Sequence, residues 1–382
     1  MPDRPGCTDT GNLRLSLGWH SQCRGYRSPD IYENWLSERR GRSAPECVAD
    51  TRTGPARFNR QRDVLRILIY GAGNIGSLYA AKLAQSGQDV AILARGDRCD
   101  ALRDNGITLE NGVSGERSTT TVLVVDRLEP GDEYDLVLVV LPNPALAEVL
   151  PILAANECSP TVMFFGNNAS GPEPMISALG RERVLLGFPG AAAIPHDGAI
   201  QYVITSRQEQ PTTIGELDGG RSERIAAISS AFERAGFPAS TCTNMDAWLK
   251  THVAKMLATA GALFYAGGHA EQLAANHEAL RLMVRAILEG FEVLRANNIP
   301  ITPANHRVLE WLPKSLIVFL MKRMFNGETM AIKIGHAEHA HRELQLLVQD
   351  FRALNAVTRL PTPTMDRLLE YLPPTMIHEI VS

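Results

Sequence analysis

The pattern of apolar and polar positions divides the chain into three parts. From residue 65 to about residue 241, short apolar runs typical of strands alternate with amphipathic stretches typical of helices. This alternation predicts an α/β fold, a doubly wound parallel sheet with helices on both faces. From residue 244 onward apolar side chains recur only at helical spacing, which predicts an all-α region. Residues 1–62 hold neither period.

The individual elements follow from this pattern and from the turn residues between the apolar runs. Strands are predicted at 65–70, 90–95, 107–110, 118–125, 135–141, 161–165, 184–188, 200–205 and 212–214. Helices are predicted after residue 76 and at 97–105, 145–155, 222–235, 278–296 and 329–354, with a further long helix from Met245 and a break at Pro313. The chain then divides into an extension (1–63), a nucleotide-binding domain (64–241) and a helical domain (242–382).

The N-terminal extension differs in composition from everything after it. Residues 1–62 contain eleven arginines, no lysine and three of the six cysteines. Such a segment buries too little apolar surface to order itself. We expect residues 1–63 to be disordered, or to precede a biological start near Val64.

The overall composition is that of a soluble globular protein, with 45% hydrophobic and 21% charged residues. A formal net charge of −4 gives no reason to expect nucleic acid or an anionic membrane as a partner. The cysteines are scattered, which suggests neither a disulfide framework nor a zinc site and indicates a reducing, cytoplasmic compartment. No apolar run reaches the roughly 20 residues of a spanning helix.

A glycine motif, G-x-G-x-x-G, lies directly between the first strand and the first helix. In this context the first glycine allows a tight turn, the second lets backbone approach a pyrophosphate, and the third lets helix and strand pack closely. The helix N-terminus offers free N–H groups to the phosphates. The residues predicted to bind a dinucleotide here are Gly71, Ala72, Gly73, Asn74, Ile75 and Gly76.

The residue closing the second strand distinguishes the two nicotinamide cofactors. An acid there would bind the ribose 2′-hydroxyl of NAD, whereas an arginine suits the 2′-phosphate of NADP. This chain has Arg95, with Arg98 close behind. Guanidinium matches phosphate through paired donors, so NADP(H) is the predicted cofactor.

With these motifs the chain resembles the ketopantoate reductases (2-dehydropantoate 2-reductases). The matching segments occur in the family's order over about residues 65–370. They are Ile67-Leu-Ile-Tyr-Gly-Ala-Gly-Asn-Ile-Gly-Ser77, Leu93-Ala-Arg95-Gly96, Ala101-Leu-Arg-Asp-Asn-Gly-Ile107, Tyr134-Asp-Leu-Val-Leu-Val-Val140, Asn167, Gly215-Glu-Leu-Asp-Gly219, Ala247-Trp248-Leu249-Lys250 and Leu360-Pro361-Thr362-Pro363.

The resemblance implies a Rossmann domain and a helical domain of the 6-phosphogluconate dehydrogenase C-terminal type, enclosing a small-molecule substrate between them. It implies reduction of a 2-keto acid by NADPH, the activity used in pantothenate biosynthesis. Asn167 falls at the family's strand-end asparagine, which contacts the cofactor. Lys250 falls at the lysine that acts as general acid. The small residues on its helical face, Ala254, Ala258 and Gly261, leave room for a ligand or for closely packed backbone.

The chain departs from the family where the substrate is held. The lysine that usually ends the 135–141 strand is replaced by Leu141-Pro-Asn-Pro144, and the asparagines one and two turns after the catalytic lysine are Ala254 and Ala258. The acidic element of the late helix falls on Met330-Ala-Ile-Lys-Ile-Gly-His336, which has no acid. Because polar groups of a site discriminate strongly between substrates, these losses favour a substrate other than ketopantoate.

Four further features carry weaker expectations. Ser315 echoes a substrate-binding Lys-Ser pair, and His336 falls in the substrate segment, so both are candidate substrate residues. The histidines of 336–341 lack metal-site spacing, and we expect no metal. Lys255 is expected to be solvated. The apolar run 311–324 is expected to be core or a homodimer interface of the helical domain.

Three functional readings remain open. The first is an NADPH-dependent 2-keto acid reductase with Lys250 as general acid. The second is a dehydrogenase of the same fold that acts on a less polar substrate. The third is a non-catalytic NADPH-binding protein.

Overall fold

Strands and helices alternate up to Thr241, and the elements after it are helical. The computed structural model describes residues 64–142, 145–327, 329–335 and 341–373. The strands are β1 Arg66–Tyr70, β2 Asp89–Leu93, β3 Ile107–Asn111, β4 Arg117–Thr120, β5 Leu123–Val125, β6 Leu136–Val139, β7 Val162–Phe165, β8 Val184–Phe188, β9 Ala191–His196, β10 Ala199–Ile204, β11 Thr212–Glu216 and β12 Ala239–Thr241.

The helices follow the same order along the described chain. The first five are α1 Asn74–Gln85, α2 Gly96–Asn105, α3 Leu146–Ala155, α4 Glu173–Leu179 and α5 Glu223–Arg234. The helical region contains α6 Met245–Tyr265, α7 Ala270–Ala275, α8 His277–Ala296, α9 Val308–Trp311, α10 Lys314–Phe325, α11 Met330–Gly335, α12 His341–Thr358 and α13 Pro363–Leu369. None of these described helices has the length and apolarity needed to cross a membrane.

The main sheet has eight strands in the order β12-β11-β8-β7-β6-β1-β2-β5. Its central strands β1 and β6 pair in parallel, with Ile67 beside Leu136, and are buried on both faces. The sheet is mixed, which corrects the prediction of a wholly parallel one: β11 runs antiparallel to β8, and β12 follows β11. The reversal arises because the chain leaves the main sheet after β8, forms β9 and β10 elsewhere, and returns in the opposite direction.

A second sheet, which the sequence pattern did not predict, contains four strands in the order β4-β3-β10-β9. The single strand expected at 118–125 is in fact two strands, because β4 joins this second sheet and β5 joins the main one. One face of the second sheet packs on α1, through side chains such as Leu109, Ala193 and Tyr202 in the core that also holds Leu78. The sheet therefore braces the helix that follows the glycine motif.

The long helix α6 is the centre of the helical region. Asn244 caps its N-terminus by accepting a hydrogen bond from the backbone N–H of Ala247 at 3.0 Å. Its small residues serve close packing: a Cβ added at Gly290 of α8 would lie 3.1 Å from Ala254, and one added at Gly261 would lie 2.8 Å from the Leu368 carbonyl oxygen. The space beside Ala254 is therefore filled by neighbouring helices.

The boundaries of the later helices follow proline and glycine positions. Pro313 separates α9 from α10, as predicted. The helix expected at 329–354 is represented by α11 and α12, with residues 336–340 outside the described part. The extension 1–63 also lies outside it. The division of the chain into domains at residue 242 stays a prediction.

Candidate functional site

The strand order reverses beside β1, and this creates a crevice at the carboxyl ends of the strands. From β1 the chain moves outward to β2 and β5 on one side, and then returns to β6 on the other side. In open α/β sheets such a reversal is where dinucleotides bind. The glycine motif begins directly after Tyr70, the last residue of β1, and therefore lies at this crevice.

The three glycines of the motif differ in what a side chain at each position would contact. Gly71 has φ +122°, and a Cβ there would overlap the carbonyl oxygen of Val140 after β6. A Cβ at Gly76 would overlap the carbonyl oxygen of Gly71, so the third glycine permits close helix–strand packing. A Cβ at Gly73 would meet nothing within 4 Å, which leaves this backbone open to a ligand.

Two arginines lie beside the glycine motif. Arg95 follows β2 and donates from Nη2 to the Tyr70 hydroxyl at 3.4 Å. Arg98 donates from Nε to the Ala72 carbonyl at 3.2 Å and from Nη2 to the Ser77 hydroxyl at 3.1 Å. Two guanidinium groups therefore flank the proposed phosphate-binding loop.

Asn167 lies directly after β7 and presents an unpaired acceptor. Its Nδ2 donates to Glu343 Oε1 at 3.0 Å. Its Oδ1 is buried and has no hydrogen-bond partner within the described part of the chain. Since buried acceptors are nearly always paired, this atom fits a donor on a bound ligand.

Glu343, on the first turn of α12, is the functional candidate that the sequence analysis missed. Burial raises the pKa of its carboxyl group, an effect that the hydrogen bond from Asn167 partly offsets. A signal was present: Glu343 shares a helical face with Leu347, which is fully buried. A carboxylate on the buried face of a helix could have been flagged, whereas the resemblance had directed attention to residues 330–336.

Lys250 lies on the second turn of α6, and its ammonium group is held by a carboxylate. Its Nζ donates to Asp246 Oδ2 at 2.6 Å, and its side chain is 13% exposed. Asp246 lies next to the loop after β7, because its Oδ1 is 3.6 Å from the place that a Cβ would take at Gly171. The lysine end of α6 is therefore close to the loop that follows Asn167.

A small cavity joins these elements. Leu249, the residue before Lys250, lines it together with Asn167 and Asn168. The other walls are almost all apolar, and they include Val139, Leu141, Leu146, Phe164, Met175 and Leu186. The strand ends thus carry few polar groups apart from the asparagines.

The two substrate residues predicted from the sequence, Ser315 and His336, are not seen at this site in the described part of the chain. Ser315 is exposed on α10. His336 and most of the 336–341 histidine cluster lie outside the described residues. The expectation that Lys255 is solvated is wrong: burial lowers its pKa to about 8, and its Nζ lies 3.1 Å from His306 Nε2.

Comparison with known proteins finds similarity to one family in part of the chain. Residues 67–219 match the family model described as ketopantoate reductase PanE/ApbA. Over 240 residues the chain is 26% identical to a 2-dehydropantoate 2-reductase of Pyrococcus horikoshii, which covers 62% of this chain and 75% of that protein.

Two solved structures share the fold. The 2-dehydropantoate 2-reductase of Geobacter metallireducens GS-15 aligns with a TM-score of 0.64 and 19% identity, covering 81% of this chain and 99% of that one. D-mandelate dehydrogenase with NADH and anilino(oxo)acetate aligns with a TM-score of 0.63 and 17% identity, covering 80% of this chain and 96% of that one. The predicted fold class, a Rossmann-type sheet followed by a helical region, is confirmed.

Proposed function

Because residues 67–219 match the ketopantoate reductase family model, we propose that this chain is an NADPH-dependent reductase of a 2-keto acid. The observation that carries the proposal is the buried Oδ1 of Asn167, an acceptor directly after β7 that has no partner in the described part of the chain. Such an acceptor fits a hydroxyl group of a bound ligand.

The residues around the glycine motif fit NADP(H). The open backbone at Gly73 can approach the pyrophosphate, and the N-terminus of α1 offers its free N–H groups. Arg95 and Arg98 supply guanidinium groups for the 2′-phosphate. When bound, the reduced nicotinamide would supply the hydride.

Lys250 is proposed as the proton donor. Reduction of a carbonyl group builds negative charge on its oxygen, and an ammonium group within hydrogen-bond reach stabilises that charge and donates the proton. Asp246 keeps the ammonium group oriented at the start of α6. Because Lys250 is largely withdrawn from water, its interaction with a developing oxyanion is stronger than at an exposed position.

Glu343 and Asn167 are proposed to hold the ligand from the opposite side. The carboxylate accepts from the amide nitrogen, which leaves the amide oxygen facing away from Glu343. A hydroxyl group on the substrate or on the cofactor ribose could then donate to Asn167 Oδ1.

A less polar substrate than ketopantoate is the second candidate, and the cavity at the strand ends favours it. Leu141, Leu146, Met175 and Leu249 line this cavity. Ala254 and Ala258 are fully buried among helices and offer no polar group. The apolar side chains at the strand ends therefore favour a 2-keto acid with a branched or aromatic side chain over a polar one.

The helical region also offers a surface for a homodimer, which we propose as the partner. The apolar face, which we name after its helices α9 and α10, exposes large side chains while Ile317, Val318 and Phe325 point into the core. Its members are Val308, Trp311, Leu316, Phe319, Leu320 and Met324. Several large exposed apolar residues on neighbouring helices are typical of protein interfaces.

The function is tested by NADPH oxidation with a panel of 2-keto acids that includes ketopantoate, branched and aromatic members. We expect turnover, and we expect Lys250→Ala to lower kcat about 10²–10⁴-fold. Lys322→Ala, which removes an exposed lysine of α10, is the matched control and should retain wild-type kinetics.

Each contrary result has a distinct meaning. Undiminished turnover in Lys250→Ala would refute the role of the lysine. Tight NADPH binding without turnover of any panel member would favour the non-catalytic reading. A preference for ketopantoate over the apolar members would refute the less polar substrate.

A further inference from the structure

The short helix α11 belongs by sequence to the helical region, yet it packs on the second sheet. Ile332 is 6% exposed and forms a small apolar cluster with Ala192, Val203 and Ile194 on β9 and β10. A Cβ at Gly112, after β3, would overlap the end of the Ile332 side chain. The outer face of the second sheet is therefore shaped to receive this one residue.

Two further contacts fasten the same helix to the same sheet. Lys333 Nζ donates to Glu209 Oε1 at 2.6 Å, in the turn after β10, and its side chain is 19% exposed. At the end of α11, a Cβ placed on Gly335 would lie 3.3 Å from Ile194 Cγ2. On its other side α11 buries Met330 in the helical core. The helix thus buries one apolar side chain against the second sheet, Ile332, and one in the helical region, Met330.

The attachment is connected to two parts of the proposed site, one through the second sheet and one through the next helix. The inner face of the second sheet packs on α1, the helix that begins within the glycine motif. The next helix after α11 is α12, which carries Glu343 to Asn167 at the end of β7. A movement of α11 away from the second sheet would therefore loosen the helical region near both the proposed pyrophosphate loop and the strand ends.

We propose that α11 is a strap that fastens the helical region to the second sheet and, by releasing and closing, sets the rate at which the dinucleotide enters and leaves. The role of the strap as a gate rests on the proposed function, because it presumes that a dinucleotide binds at the glycine motif. The small size of the apolar contact suits a reversible device: it includes Ile332 and three residues of β9 and β10, whereas the two large cores each bury tens of residues.

A reversible disulfide between α11 and β9 tests this proposal directly. In the double variant Ile194→Cys/Gly335→Cys, the Cβ at position 335 would lie 3.3 Å from the place that Ile194 Cγ2 now takes, so a cysteine Sγ at that place would lie close enough for a disulfide to be tested. Diamide would oxidise the two thiols to the bond, and dithiothreitol would reduce it again. Mass spectrometry verifies each state. Gly335→Cys alone, treated in the same way, controls for oxidation of the native cysteines.

Stopped-flow fluorescence then measures release of NADPH. We expect the oxidised double variant to release NADPH at least tenfold more slowly than the reduced form of the same variant. The two single variants Ile332→Ala and Lys333→Met should each release NADPH several-fold faster than the wild type. Equal release rates in the verified oxidised and reduced states would overturn the proposal.

A measurement without any ligand separates the strap from the proposed function. If the wild type does not bind NADPH, the cofactor assignment fails, and hydrogen exchange alone decides whether α11 opens. We expect amides of α11 and β9 to exchange faster than those of α6, and the disulfide to abolish the difference. Exchange in α11 as slow as in α6 would show a permanent brace and overturn the strap.

Discussion

At the scale of single residues, the structure pairs two basic groups that the sequence left apart. Lys255 and His306 lie 3.1 Å apart. Burial lowers the pKa of Lys255 to about 8, and burial together with the nearby ammonium lowers the pKa of His306 to about 3. His306 Nδ1 is also buried without a hydrogen-bond partner in the described part of the chain. The His306 imidazole is therefore neutral near pH 7. A folded protein in which both Lys255 and His306 are charged is destabilised, because the two positive charges are buried close together.

This pair predicts how stability depends on pH. Between pH 6.5 and 3 the unfolded chain binds a proton at His306 that the folded chain does not, so the free energy of unfolding falls as pH falls. His306→Gln removes this contribution. Between pH 6 and 4 the free energy of unfolding of the variant should therefore fall less steeply than that of the wild type, and the two slopes should differ by up to about 1.4 kcal/mol per pH unit. Urea unfolding at several pH values measures the two slopes. Parallel slopes for the variant and the wild type would contradict the depressed pKa.

At the scale of elements, the junction of β1 with α1 separates two tasks that glycine performs. Gly76 is required by the protein itself, because a Cβ there would overlap the Gly71 carbonyl oxygen. A Cβ at Gly73 would have no described atom within 4 Å, and any residue can adopt its φ of −70°. The described part of the protein therefore does not itself require glycine at this position. Its glycine is explained only if a ligand approaches the backbone.

Alanine substitutions distinguish these two tasks. Gly76→Ala should lower the free energy of unfolding by about 1–3 kcal/mol and also weaken NADPH binding, because the helix must shift. Gly73→Ala should leave stability within about 0.5 kcal/mol of the wild type. It should nevertheless weaken NADPH binding about tenfold or more, a loss of roughly 1.4 kcal/mol. Chemical denaturation and fluorescence titration measure the two quantities, and unchanged NADPH affinity in Gly73→Ala would argue against a pyrophosphate at this loop.

At the scale of the whole molecule, the apolar face of α9 and α10 predicts self-association. Phe319, one of the residues of this face, is 62% exposed. A charge placed there would be buried without a partner in a dimer, so Phe319→Glu should weaken the dimer at least tenfold. Val357→Glu is the matched control, since Val357 is an exposed apolar residue of α12 outside this face. Sedimentation velocity over a concentration series reports the result, and a wild type that stays monomeric at tens of micromolar would refute the proposal.

The sequence predicted the elements with strong periods and missed those whose formation depends on distant partners. β6, with buried apolar residues on both faces, and α8, with a regular apolar stripe, lie within a few residues of their predicted bounds. β9 consists largely of small residues and is a strand because β10 pairs with it. Likewise, the 118–125 run could not reveal that its two halves pair with different sheets.

The candidate site follows the same division. Gly71, Gly73, Gly76 and Arg95 could be predicted as cofactor residues because the proposed task of each depends on a local strand–turn–helix–strand geometry that sequence spacing encodes. The pairing of Glu343 with Asn167 joins residues 176 positions apart, and no local pattern specifies such a contact. The burial of Lys255 against His306 is equally nonlocal, because it depends on where the chain after α8 returns to α6.

The sequence by itself therefore determined the Rossmann-type order of elements, the glycine motif and the preference for a dinucleotide, since each depends on residues close together along the chain. Only the tertiary structure decided which acid meets Asn167, which face of α6 is filled by helices, and which sheet receives α11. These contacts are set by packing between distant segments, and the free energy of packing depends on shape and burial that appear only once the chain has folded.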